Sequence, residues 1–178
     1  MAIQQRDGSS ATGQRAPLAE GVVVVCEEPG FVIATWKNVS IVVWGTQATM
    51  ARAQKIDTFS QGMSAEHRQG FSAVHVVANG ARLPDSATRA ELDRLTSKYS
   101  KNLACFGTVI EGTGFWASAM QSFVTSLHWV SRRPFKVRIS STLSEIAGWM
   151  PLPHREKTGV QIAATDVLRA MTSVRERI

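Results

Sequence analysis

The chain has 178 residues, 44% of them hydrophobic, enough to bury one core without help from disulfides or a metal ion. Its two cysteines, Cys26 and Cys105, sit inside apolar runs (VVVVCEE and LACFGTVI), which excludes a disulfide framework or zinc site, and no run of about twenty apolar residues is present to span a bilayer. The net charge of +6 is dispersed over groups at Arg132, Arg133, Lys136 and Arg138, at Arg155 and Lys157, and at Arg169, Arg175 and Arg177. No basic run is interleaved with aromatics as in single-strand binders, so nucleic-acid binding through these patches is a minor alternative.

Residues 1–20 lack the apolar core of a secretory signal and read as a disordered tail, with an organellar transit peptide as the alternative given Arg6, Arg15 and scattered Ser and Thr. A soluble cytoplasmic protein is expected. From residue 21 to residue 150 the pattern predicts one α/β domain. GVVVVCEEPGFVIATWKNVSIVVWG gives three β-branched runs broken by EEPG and by a tight Lys37–Asn38 turn, so the sheet begins as an antiparallel hairpin or meander. A helix is predicted from Gln47 to Arg68, with Met50, Ala53, Ile56, Phe59 and Met63 at near-helical spacing. Thereafter one plan repeats: strand FSAVHVVA, helix from Asp85 to Tyr99, strand LACFGTVI, helix from Gly114 to Ser131, strand PFKVRIS and short helix STLSEIAGWM. Strands alternating with helices call for crossovers and a mainly parallel sheet, and the continuous apolar strands agree. Pro151 and Pro153 are read as ending this unit, leaving residues 151–178 as a proline-containing connector and an amphipathic C-terminal helix with Val167, Leu168, Met171 and Val174 in its apolar stripe.

The element order over residues 31–150, with Asp85-Ser86 where a loop meets a helix in VHVVANGARLPDSATRAELDRL, resembles the STAS domain of bacterial anti-sigma-factor antagonists and the related SEC14-like group. The resemblance implies a regulatory or scaffolding domain of bacterial type that acts by protein–protein contact, without catalysis. It also implies phosphorylation at Ser86, where a phosphate would meet free amides and the positive end of a helix dipole. Here Ala87-Thr88-Arg89 follows the serine, whereas the switch families continue Ser-Gly-Leu. Asp85 or Ser86 as a plain N-cap accounts for the same residues.

Residues 102–131 carry one formally charged side chain, Glu111, beside Gly112 and Gly114. That junction of a strand end with a helix start is where open α/β sheets bind ligands, so Glu111, Gly112 and Gly114 are candidate ligand-binding residues for a small-ligand or lipid carrier, the SEC14-like alternative. The plain structural reading is a tight turn, with Glu111 attracted to the helix amino end. In the helix that follows, Phe115, Trp116, Ala119, Met120, Phe123, Val124, Leu127 and Val130 form a stripe expected to pack on the sheet. The other face, Ser118, Gln121, Ser122, Thr125 and Trp129, has the charge-poor composition of a protein interface. It is expected to meet a partner, a second copy of the chain in a homodimer included, or to be covered by the chain's own C-terminal helix or tail. Glu111, Asn79, His75, His128 and Cys105 are the residues a catalyst would need, but none is joined to a base and an orienting group at recognisable spacing. His75 in AVHVV reads as a core histidine, and His67 and His154 stand alone. No cofactor and no metal set are expected.

Overall fold

The computed structural model describes residues 17–129 and 134–178, the side chains of 126–129 excepted. Three antiparallel strands come first: β1 (Val22–Glu28), β2 (Phe31–Trp36) and β3 (Val39–Trp44). The turn between β2 and β3 has two residues, and Lys37 holds a left-handed φ of 51°, the conformation such short hairpin turns demand. Helix α1 (Met50–Glu66), β4 (Phe71–Val77), α2 (Ser86–Lys98), β5 (Leu103–Ile110), α3 (Gly114–Trp129) and β6 (Lys136–Ser140) follow, with β3, β4, β5 and β6 parallel. The six strands lie side by side in the order of the sequence. The fold is therefore α/β, a mixed sheet opened by an antiparallel meander and continued in parallel.

Sequential strand order determines where the helices go. Each crossover from β3 to β6 advances to the adjacent strand, and right-handed crossovers stepping in one direction place all their helices on one face. Accordingly Ala53, Ile56 and Met63 of α1, Leu95 of α2, and Met120, Phe123 and Val124 of α3 share one core cluster with Phe31, Ala73 and Phe106 of the sheet. The opposite face is filled by what comes after β6: α4 (Leu143–Trp149), α5 (Pro151–Thr158) and α6 (Ala164–Arg175). There Ile146, Met150, Val167, Met171 and Val174 pack on Val32, Ile41, Val74 and Cys105 with no solvent exposure or almost none. Gly107 makes the approach of α4 possible, since a Cβ at that position would stand 2.7 Å from Cγ2 of Ile146. The central strands β3 and β5 are buried along their whole length, as strands covered on both faces must be.

Two expectations change. Residues 151–158 are a helix rather than a connector: both prolines fall in its first turn, where the missing N–H has no intrahelical partner to lose, and Gly159 closes it in the left-handed conformation. The segment also belongs to the domain's interior, because His154 and Thr158 are buried and Val167, Ala170, Met171 and Val174 of α6 pack on the sheet. Among the described residues, no helix is long and apolar enough to cross a membrane.

Candidate functional site

The two faces of the sheet are not packed alike. Between the strands and α1, α2 and α3 lies a cavity of about 110 Å³. Its floor is β4 and β5. Alternation puts Ala73, His75 and Val77 of β4 on this face together with Phe106 and Thr108 of β5, and the parallel register sets His75 directly beside Thr108. His75 is only half-buried although its chain neighbours Val74 and Val76 are fully buried.

The walls are mostly aromatic. Trp44 and Phe106 flank the imidazole of His75 edge-on, with ring centroids 5.9 and 4.7 Å away. Tyr99, just after α2, turns its ring into the cavity and its hydroxyl outward, donating to the backbone oxygen of Asp57 at 3.0 Å and to the Asp57 carboxylate. Asp57 on α1 also receives Lys98 and Arg94 of α2, and the hydrogen bonds from Lys98 and Tyr99 hold its carboxyl below the ordinary aspartate range. These contacts tie α1 to α2 across the roof. At the carboxyl ends of β3 and β4 the lining passes to Thr46 and Arg82, both exposed, so the cavity faces solvent at the end where open α/β sheets bind ligands.

One polar atom in this lining is unsatisfied. Thr108 belongs to the lining but is 2% exposed, and its buried Oγ1 has no hydrogen-bond partner among the described residues. A buried hydroxyl left in this state costs about 1–3 kcal/mol. Among the described residues, no carboxylate lines the cavity, and Arg82 stands at its solvent end.

The residues singled out from the sequence are placed elsewhere. The carboxylate of Glu111 faces the C-terminal helix, with Nε of Arg175 2.8 and 2.9 Å from its two oxygens, rather than the start of α3. Gly112 has φ of 100° and packs on Asn79, whose Oδ1 would be 2.6 Å from a Cβ there; Gly114 opens α3 and is exposed. Ser86 is the exposed first residue of α2, and the N-cap is Asp85, whose Oδ1 accepts from the Thr88 amide at 2.7 Å. On α3, Ser118, Gln121 and Ser122 are exposed and Thr125 is half-buried; the side chain of Trp129 lies outside the described residues. The C-terminal helix does not cover this face, because α6 lies across the sheet on the other side. Phe115 is not in the core: it is 90% exposed, whereas Trp116 donates from Nε1 to the backbone oxygen of Ala81 at 2.9 Å and so anchors the first turn of α3.

A second polar group joins residues far apart in sequence. Ser72 Oγ lies 2.8 Å from Nδ1 of His154 and 3.1 Å from Sγ of Cys105, and all three residues are wholly buried. His154 is thus far from isolated. Burial lowers its pKa to about 4 and raises that of the Cys105 thiol to about 11, so at neutral pH both are uncharged. With no exposed atom in the trio, a neutral imidazole and a protonated thiol act as core packing, not as nucleophile and base. Many basic residues have acidic partners: Arg177 with Glu27, Arg169 with Asp166, Lys136 with Glu156, and Arg52 and Lys55 with Glu28. Among the described residues, no group of three or more His, Cys, Asp or Glu could hold a metal ion.

Comparison with family models and with curated proteins found no match to this chain.

Proposed function

We propose that this chain is a binding domain, not a catalyst, and that it holds a small apolar molecule in the cavity between the sheet and α1–α3. The observation that carries the reading is the space of about 110 Å³ under α1–α3, walled by Trp44, Phe106 and Tyr99 and reaching solvent at Thr46 and Arg82. Such a volume costs about 3 kcal/mol at the rate found for cavities left in protein cores, a large share of the stability of a domain this size. A ligand recovers that cost through contacts with the lining. The SEC14-like side of the resemblance points the same way, with the site moved from Glu111–Gly114 to the floor formed by His75 and Thr108. Regulation through a partner protein, the other side of that resemblance, is compatible with this reading: α3 presents the exposed Phe115, Ser118, Gln121 and Ser122 just outside the cavity, where ligand-dependent movement of the helix would be felt.

Filling the cavity tests the proposal. Ala73 faces it from β4 at 5% exposure, so Ala73→Leu is expected to raise Tm by roughly 2–4 °C, corresponding to about 1 kcal/mol. Native mass spectrometry of freshly purified protein is expected to show a small adduct on the wild type that Ala73→Leu lacks. Bare spectra for both proteins, or the same adduct on both, would remove the reading.

A further inference from the structure

We infer that the ligand is a small aromatic acid bound as its anion, with the ring among Trp44, Phe106 and Tyr99 and the carboxylate at the solvent end, on Arg82. This rests on the cavity reading above and adds the chemistry of what fills the space. The volume, about 110 Å³, suits a body of one ring. Trp44 and Phe106, with centroids 5.9 and 4.7 Å from the imidazole of His75, make a surround that matches a flat ring better than a flexible chain.

The charge follows from the side chains around that space. Among the described residues, those of the lining that can ionise are His75 on the floor, Tyr99 in the wall and Arg82 at the solvent end. None is negative at neutral pH, because burial raises the pKa of Tyr99 above that of a free phenol. A cationic ligand therefore meets no counter-charge, whereas an anion meets two bases. A second guanidinium stands close by: that of Arg89 lies 4.5 Å from the ring centroid of Phe123, another wall residue. Among the described residues neither Arg82 nor Arg89 has a carboxylate partner, and Asp85, between them in the chain, is committed to the Thr88 amide. Solvation sets the depth of the carboxylate. Beside His75 it would give up water among Trp44 and Phe106, whereas at the exposed Arg82 it keeps water on one side and gains a guanidinium on the other. His75 is then a neighbour of the ring, not of the charge.

The test measures, by calorimetry at low salt, the affinities of phenylacetate, phenylacetamide, phenethylamine and toluene for the wild type, Arg82→Gln, Arg82→Lys and His75→Gln. The wild type is expected to prefer phenylacetate to phenylacetamide by about five- to tenfold and to bind phenethylamine most weakly. Arg82→Gln is expected to lower the phenylacetate affinity by about three- to fivefold with that of phenylacetamide unchanged, and Arg82→Lys to keep most of the preference because it keeps the charge. In His75→Gln the acid-to-amide ratio is expected to stay as in the wild type. Acid and amide binding alike, the amine binding best, or a ratio that falls in His75→Gln but not in Arg82→Gln overturns this assignment while leaving the cavity reading intact, as does binding of toluene without phenylacetate. Failure of both toluene and phenylacetate to bind the wild type overturns the cavity reading and this inference together.

Discussion

Two buried polar side chains on one sheet illustrate what burial does in different settings. Thr108 keeps its hydroxyl without a partner, whereas His154 gains Ser72 at Nδ1, leaves its buried Nε2 without one and stays neutral. For His154 the sign follows from its lowered pKa, about 4 in the folded chain against an unfolded value near 6.5. The unfolded chain binds the proton first as pH falls, so the stability associated with the neutral imidazole is complete above about pH 6.5 and is lost progressively towards pH 4. A shift of this size corresponds to about 3 kcal/mol. Urea unfolding at a series of pH values is expected to show this slope in the wild type and a flatter one in His154→Asn, which keeps a polar partner for Ser72 but does not titrate. Neither role was visible in the sequence. His154 follows two prolines in a segment read as connector, and its partners Ser72 and Cys105 lie on strands more than thirty residues upstream. Thr108 sits in LACFGTVI like any strand threonine, and only its buried, unpartnered hydroxyl makes it unusual.

At the scale of elements, the sequence carried most of the architecture. The strands were legible because β-branched runs alternate with helical spacing, and the α2 start was legible from Asp85, which caps the Thr88 amide. Helix α5 is not legible, since proline reads as a breaker although its position in the first turn makes it harmless. Phe115 was misplaced for a related reason: at the very start of α3 it precedes the point where the helix settles on the sheet, so periodicity alone assigned it to the stripe. The C-terminal helix is docked by more than its apolar stripe. Arg175 meets Glu111 at the end of β5 and Arg177 meets Glu27 on β1, both in partly buried settings. A double-mutant cycle of Glu111→Ala and Arg175→Ala is expected to give a coupling of roughly 1 kcal/mol in urea unfolding, shrinking as salt is raised. Coupling near zero would mean that α6 is held by Val167, Met171 and Val174 alone.

Taken as a whole, the molecule is a sheet covered on both faces by helices, and which helices cover which face follows from topology. Three crossover helices must share one side of a sheet whose six strands run in sequence order, and they bridge it from above. The three later helices have no crossover to make and settle closely onto the other side. No residue pattern announces the space under α1–α3, because Trp44, Phe106, Tyr99 and Phe123 have the composition of an ordinary core. That space also makes the protein sensitive to a variable that sequence and charge leave untouched. A mole of such cavities holds about 66 mL, and hydrostatic pressure favours whichever state eliminates internal voids. Unfolding under pressure, followed by tryptophan fluorescence, is therefore expected to proceed with a markedly negative volume change, smaller in magnitude for Ala73→Leu than for the wild type.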